Sequence, residues 1–380
     1  MNHSRTHVLC GLVLIGVFSS PAITLAEPAM ERVARLNSGP NNPRNSEGDL
    51  IQLNDGRLLF IYTRFTGGYD DHASAHLASR VSTDGGQSWS TSDRTVIENE
   101  GAMNIMSVSL LRLQDKRIAM FYSRKNSLQD CRPLMRISCD EAQTWGPPVE
   151  IIPAAEKDYY VLNNARVVQL TNGRLLAPVA RHLNPTPKKF NPDARILCYY
   201  SDDAGQTWKC GQEAKYPASA DKNTVCQEPG VIELNDGRLM VFCRTNLGSQ
   251  CVAYSADAGA TWSQLQTSAF ISPRSPATIV RVPKTGDLLA VWNDHAKISA
   301  ELRDKRTPLS AAISQDDGKT WQPSRTLEDH PHGWYCYTAA RFVGDHVLLA
   351  YCAGNQQKGA GLADTQITRI PLAWLYAEKK

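Results

Sequence analysis

The chain has 380 residues, of which 42% are hydrophobic and 21% charged, enough length and apolar content for a sizeable core. With 41 basic against 38 acidic residues the formal charge is +3, without the basic excess of a nucleic-acid binder. No apolar run is long enough to span a bilayer.

In chain order, Met1 to Ala26 reads as a secretory signal. Arg5 precedes an apolar stretch ending at Phe18, and small residues lead to Leu25-Ala26. The expected mature protein, residues 27–380, is secreted or periplasmic, with no stable membrane insertion. Ten cysteines include Cys10, so nine remain, and an odd number leaves at least one free thiol unless a second chain pairs with it. Export would permit disulfides. Cys198 with Cys210 and Cys243 with Cys251 are the pairs spaced to face each other across a hairpin. Nothing has the Cys/His spacing of a zinc site, and no cofactor is implied.

Glu31 to Leu36 is a strand expected to pair with a last strand near Thr365 to Leu375. Between them one unit recurs. An apolar strand (Leu50-Ile51-Gln52-Leu53) enters a tight turn (Asn54-Asp55-Gly56-Arg57) and returns as Leu58 to Tyr62. The turn recurs as Gln114 to Arg117, Thr171 to Arg174, Asn235 to Arg238 and Lys284 to Asp287. Asp-Gly and Asn-Gly between hydrophobic runs signal hairpins, because glycine tolerates positive φ. A third strand then leads into an eight-residue pattern, S-x-D-x-x-x-[S/T]-W, starting at Ser82, Ser138, Ser201, Ser255 and Ser314 and ending at Trp89, Trp145, Trp208, Trp262 and Trp321. The starts lie 56, 63, 54 and 59 residues apart, a period that means stacked supersecondary units. A sixth hairpin, Tyr337 to Tyr351 around Gly344-Asp345-His346, lacks the pattern. Six units of about 59 residues predict an all-β protein: a six-bladed β-propeller of four-stranded antiparallel blades in one domain.

The repeated pattern resembles the Asp box of the sialidase (neuraminidase) superfamily. Its Asp, Ser and Thr side chains are expected to bind turn amides, which is a structural role. Departures from the repeat carry the functional resemblance. Tyr69-Asp70-Asp71-His72-Ala73 is similar to the sialidase loop that holds the general acid/base, with Asp70 the match and Asp71 the alternate. Cys226-Gln227-Glu228-Pro229-Gly230, followed after a hairpin by Arg244, resembles the blade supplying a catalytic Glu and a carboxylate-binding Arg. Tyr337-Thr338 resembles the Tyr-Ser pair of the nucleophile, with Tyr335 the alternate. Met103-Asn104 resembles a pocket-lining pair.

The resemblance implies a retaining exo-glycosidase that removes terminal sialic or related nonulosonic acid from a sialylated or other acidic glycan. The substrate carboxylate would repel a carboxylate nucleophile, whereas a neutral tyrosine activated by a neighbouring Glu is not repelled. Three arginines would hold that carboxylate through paired charged hydrogen bonds. Arg244 fits one of them and Arg274, in Arg274-Ser275-Pro276, another. Arg44 stands about two residues before the first arginine's expected place, where Glu47 falls instead. Arg166, opening the third unit, is a further candidate substrate contact without a family counterpart. Two other readings of the sequence stand beside this one: a hydrolase or polysaccharide lyase for another sugar, with Asp70 and Glu47 or Glu228 as paired carboxylates, and a non-catalytic carbohydrate-binding propeller.

Overall fold

The computed structural model describes Met1 and residues 29–186, 188–216 and 224–377; apart from Met1, the expected leader lies outside the described residues. Among the described residues the fold is all-β apart from three short 3-10 turns and one helix, Leu372–Tyr376. Four sheets have four antiparallel strands each, and a fifth has nine. The nine-stranded sheet contains the second and third sequence units. A single parallel contact, Tyr159 against Cys131, joins them. The spacing of the repeats gives no sign of this merger.

The predicted hairpins form as the turn chemistry requires. In the first, Leu53 donates its amide to the Arg57 carbonyl at 2.8 Å and Asp55 accepts from the Arg57 amide at 3.0 Å, while Gly56 takes a φ of +87°. In the third box Asp203 accepts from Ser201 Oγ (2.7 Å) and the Thr207 amide (2.9 Å) and is also bonded by Thr207 Oγ1. The same Ser–Asp–Ser/Thr bonding recurs at Asp84, Asp140, Asp257 and Asp316. The box tryptophans reach neighbouring units. Trp208, for example, meets Phe121 edge-on at 6.2 Å.

Burial is distributed between successive units rather than within them. One apolar cluster joins Ile61 and Leu77 to Leu110 and Met120, and the next joins Phe121 and Met135 to Leu175 and Val179. Others link the third unit to the fourth, the fourth to the fifth and the fifth to the sixth. A further cluster packs Leu50, Leu58 and Phe60 of the first unit against Leu348 and Ala350 of the last. Glu31–Leu36 pairs antiparallel with Thr365–Pro371, shorter than the expected last strand because Leu372 starts the helix.

The thiols differ from the expected bridges. Cys243 and Cys251 do face each other in register, but Cys198 pairs with Pro178 and Cys210 with Tyr199. All nine cysteines among the described residues are free.

Candidate active site

The first strands of several units share a defect that aims side chains at one place. Register shifts between Ser46 and Asp49, Met106 and Ser109, Gln227 and Gly230, and Cys336 and Ala339 each mark a β-bulge. At these bulges Glu47, Ser107, Glu228 and Tyr337 adopt φ values of +53°, +66°, +52° and +57°, and Ala165 in the third unit adopts +54°. Such backbone is disfavoured for residues with a Cβ and persists where the surroundings enforce it. Gly230 allows one such bulge to pack. A Cβ there would come within 2.4 Å of the Phe242 ring and 2.9 Å of Arg166 Nη1. Asn164 ties the strands together, donating to the main-chain oxygens of Gly48 and Tyr337, both at 2.9 Å.

Glu47, Ser107, Glu228 and Tyr337 line one cavity of about 140 Å³, with Asp71, Lys125, Tyr159, His182 and Arg244 among the other walls. Tyr337 donates its hydroxyl to Glu228 Oε1 at 3.2 Å. Arg244, directly opposite Gln227 in the hairpin, places Nε 3.0 Å from Glu228 Oε2. Burial raises the Tyr337 pKa far above that of a free phenol, and the charge on Glu228 adds to this. The phenol therefore stays protonated and cannot act as a nucleophile unless a base takes its proton in the same step.

Arg44 is almost fully buried, stacked 4.4 Å from the Phe65 ring centre. It is held by protein carboxylates: Asp71 Oδ1 at 2.6 Å and Glu47 Oε1 at 3.1 Å. Burial opposes charge on Asp71, but Arg44 and Lys125 bring its pKa down to about 2. Glu47 moves the other way, to about 7, because burial outweighs the attraction of Arg44 while Asp71 and Glu228 add repulsion. Of the two carboxyls that share Arg44, the more buried one is the one driven toward its neutral form.

The other expected site residues are placed as follows. Asp70 is exposed, its carboxylate accepting from the His72 amide at 2.7 Å within its own loop. Asn104 is buried and does not contact the cavity; its amide holds that loop through the carbonyls of Asp71 (2.9 Å) and Ala73 (2.8 Å). Arg166 is buried and does not line the cavity; it donates to the Ala277 carbonyl at 2.7 Å, and burial lowers its pKa to about 10 against the pull of Glu228 and Tyr337. Arg274 is exposed on a neighbouring cavity of about 350 Å³ that it lines with Arg244, Arg306 and Trp334. Tyr335 packs into the apolar cluster between the fifth and sixth units.

Sequence reasoning missed Arg306 and Lys125. Arg306 lies 5.3 Å from the ring centres of both Trp334 and Tyr337. Lys125 is buried, with Nζ bonded to the Asp71 carbonyl at 2.6 Å and 5.4 Å from the Tyr159 ring centre. Neither follows from a hairpin signal, although Arg306 falls in the basic run Arg303-Asp304-Lys305-Arg306 just before a third strand.

These features define a class: an all-β repeat protein with a polar cavity, in which a tyrosine contacts a glutamate beside two arginines. Residues 56–349 match the BNR repeat-like domain, and the chain belongs to that family, within the sialidase superfamily. It is 25% identical over 317 residues to a sialidase of Bacteroides fragilis (strain YCH46), an alignment covering 75% of this chain and 55% of the relative. The chain thus spans about half the length of that curated relative. Among solved structures, a protein of unknown function from Dyadobacter fermentans DSM 18053 superposes with a TM-score of 0.68 at 19% identity, over 90% of this chain and 100% of the other. The Hadza microbial sialidase Hz136 gives 0.69 at 19% identity, over 88% and 67%. At these identities the superpositions speak to the fold.

Proposed function

We propose that this protein is a retaining exo-glycosidase of sialidase type, exported after loss of residues 1–26, with residues 27–380 forming a single six-bladed propeller. In this reading the nine-stranded sheet is two blades joined at Tyr159, and the cluster between the first and last units closes the ring. The substrate is a glycan ending in sialic or a related nonulosonic acid.

The contact between Tyr337 and Glu228 carries the reading. Tyr337 Oη attacks the anomeric carbon while Glu228 accepts its proton, so no full phenolate forms beside the substrate carboxylate. Arg244 lies beside Glu228 and borders both cavities, so it can pair with that base and also face the substrate anion. With Arg44 engaged by Glu47 and Asp71, Arg306 and Arg274 are the remaining arginines near Arg244 that can receive the carboxylate. Protonation of the leaving oxygen falls to a carboxyl on the Arg44 side of the cavity. The family resemblance gives that role to Asp70, whose carboxylate here caps its own loop.

Hydrolysis of a fluorogenic sialoside tests the reading. Wild type is expected to turn over and Tyr337→Phe to lose at least about 100-fold in kcat/KM. Equal rates for the two would reject the nucleophile. A second reading, a two-carboxylate hydrolase for uncharged glycans, is favoured by Glu47 and Glu228 lining one cavity. Turnover of such glycans with none of sialosides would select it.

A further inference from the structure

One wall of the cavity carries two polar groups that the contact between Tyr337 and Glu228 does not use. Ser123 and Lys125 stand two positions apart on the strand Ile118–Ser127, so their side chains leave the same face of the sheet, and both line the cavity. They are only 3% and 2% exposed. Ser123 Oγ is buried without a hydrogen-bond partner among the described residues. The Lys125 ammonium has three donors. It meets the Asp71 carbonyl at 2.6 Å and the Met106 sulfur, a weak acceptor, at 3.5 Å. The carboxylates on that side are engaged by Arg44, Asp71 at 2.6 Å and Glu47 at 3.1 Å, and no ion pair among the described residues includes Lys125. A buried ammonium and a buried hydroxyl each cost stability unless something bonds them. Holding the Asp71 loop uses one donor of Lys125 and nothing of Ser123.

The rest of the wall says what would bond them. Tyr159, His182 and Phe190 all line the cavity and form a cluster of rings. Their centres lie 5.9 Å apart from Tyr159 to His182, 5.5 Å from Tyr159 to Phe190 and 4.8 Å from His182 to Phe190. Such rings keep water away and lower the local dielectric, which strengthens a hydrogen bond formed beside them. Charge narrows the choice further. Glu47, Asp71 and Glu228 share the cavity with Lys125, so a second anion on the sugar would meet three carboxyls. An uncharged oxygen meets no such repulsion and still accepts a charge-assisted bond from the ammonium.

We propose that Lys125 and Ser123 form the subsite for an uncharged oxygen substituent of the sugar, a hydroxyl or the carbonyl of an acylamido group, and so select which acidic sugar the cavity takes. This rests on the sialidase-type reading above. Tyr337 holds the anomeric carbon and the arginines hold the carboxylate, so a third point of contact fixes the orientation of the ring. Lys125 Nζ donates to the substituent while keeping its bond to the Asp71 carbonyl. Ser123 Oγ adds a second bond, donating to the oxygen or accepting from a hydroxyl or amide hydrogen. The loop that carries Asp70 and Asp71 and the bound substituent are thereby held by one side chain.

The test uses aryl glycosides of N-acetylneuraminic acid, of its deaminated analogue, which has a hydroxyl in place of the acetamido group, and of analogues in which one oxygen or acylamido substituent at a time is replaced by hydrogen. Lys125→Met keeps an unbranched stem and removes the ammonium. It is expected to raise KM about 10-fold or more for the sugar that carries the bonded oxygen, with a smaller change in kcat. Ser123→Ala should raise the same KM about 3-fold or more and leave the melting temperature unchanged or higher, since it removes a buried hydroxyl with no partner. The ratio of wild-type to variant kcat/KM across the set separates contact from support. A disturbed Asp71 loop lowers every member alike and leaves the ratio constant. A lost contact makes the Lys125→Met ratio fall about 10-fold or more for the one analogue that lacks the bonded oxygen. A full ratio on the deaminated sugar marks a hydroxyl, and a full ratio on the N-acetyl sugar alone marks the acyl carbonyl. If Lys125→Met does not fold, Ser123→Ala is read across the same set. A ratio constant over all members would overturn the proposal and leave Lys125 as a support for the loop. No turnover of any of these glycosides by wild type would instead reject the function on which the proposal rests.

Discussion

Arg306 shows how far a residue type can be read before its geometry is known. Arg44 has the right chemistry for an anion site, but its guanidinium is bound by Glu47 and Asp71, so the cation facing the tyrosine is one that no hairpin pattern marks. Its pKa lies above that of a free arginine: burial opposes the charge, but Cys336, Tyr337 and Glu228 favour it. If Arg306 receives the substrate carboxylate, Arg306→Lys removes the forked donor and keeps a point charge. A charged hydrogen bond contributes about 1.5–3 kcal/mol, which predicts a KM for a sialoside raised about 10-fold or more. Steady-state kinetics with the folded variant check this, and an unchanged KM would place the anion elsewhere. Glu228, Arg244 and Tyr337 were legible because each interrupts a repeat at a fixed distance from a hairpin. Asp70 and Asp71 were not separable, since adjacent loop residues point opposite ways and only packing says which faces inward. Glu47 is legible from the spacing of the turns: it, Ser107 and Glu228 each stand nine residues before the third position of the hairpin turn, at Gly56, Lys116 and Gly237.

Among the elements, the five boxes are the most regular and were the most fully readable. Each bonds its own Ser and Ser/Thr, so eight consecutive residues specify the turn without help from the rest of the chain. The merger of two units at Tyr159 was unreadable for the opposite reason, because it depends on two segments meeting across a short parallel contact. The box aspartates also fix a pH dependence. The side-chain and main-chain bonds from Thr207 hold Asp203 down to about 2, and Asp84, Asp140 and Asp316 behave alike. An unfolded aspartate titrates near about 3.9, so this stabilisation is complete above about pH 4 and is lost as pH falls toward 2. Asp203→Asn should therefore lower stability by about 1 kcal/mol at pH 7, a modest value because the group is exposed to solvent. The deficit should shrink by more than half at about pH 2.5, between the unfolded and folded pKa values and just above the pH at which the wild-type carboxyl protonates. Urea denaturation at the two pH values checks this, and a deficit independent of pH would assign the effect to shape rather than charge.

For the whole molecule, the consequence of packing between units is that the first and last must meet. Features that join them besides the apolar cluster include the pairing of Glu31–Leu36 with Thr365–Pro371, the ion pair Arg35–Asp364, the Asn45 amide on the Ala363 carbonyl at 2.7 Å and the Arg341 guanidinium on the Leu50 carbonyl at 2.8 Å, while Arg32 reaches Glu328 of the fifth unit. The pairing was foreseeable because a lone N-terminal strand needs a partner and the last unit has an open edge. This junction also bears on the site. Glu47 belongs to the first unit and Tyr337 to the last, and Asn164 holds the backbone beside the one and of the other from the third. Removing residues 29–36 strips the strand pairing, buried Leu36 and two ion pairs, and leaves Thr365–Pro371 as an unpaired edge. A loss of about 3 kcal/mol, mainly from Leu36 and the paired backbone, corresponds to a melting temperature lower by about 4 °C in a protein of this size. If the units form one cooperative ring, the truncated chain should still unfold in a single transition, with activity lost in that same transition. Calorimetry alongside residual-activity measurements distinguishes the outcomes. A separate early transition that leaves activity intact would mean that the contacts outside residues 29–36, among them the apolar cluster, Asn164, Asn45 on Ala363 and Arg341 on Leu50, hold the first and last units together, with the terminal strand an accessory to the fold.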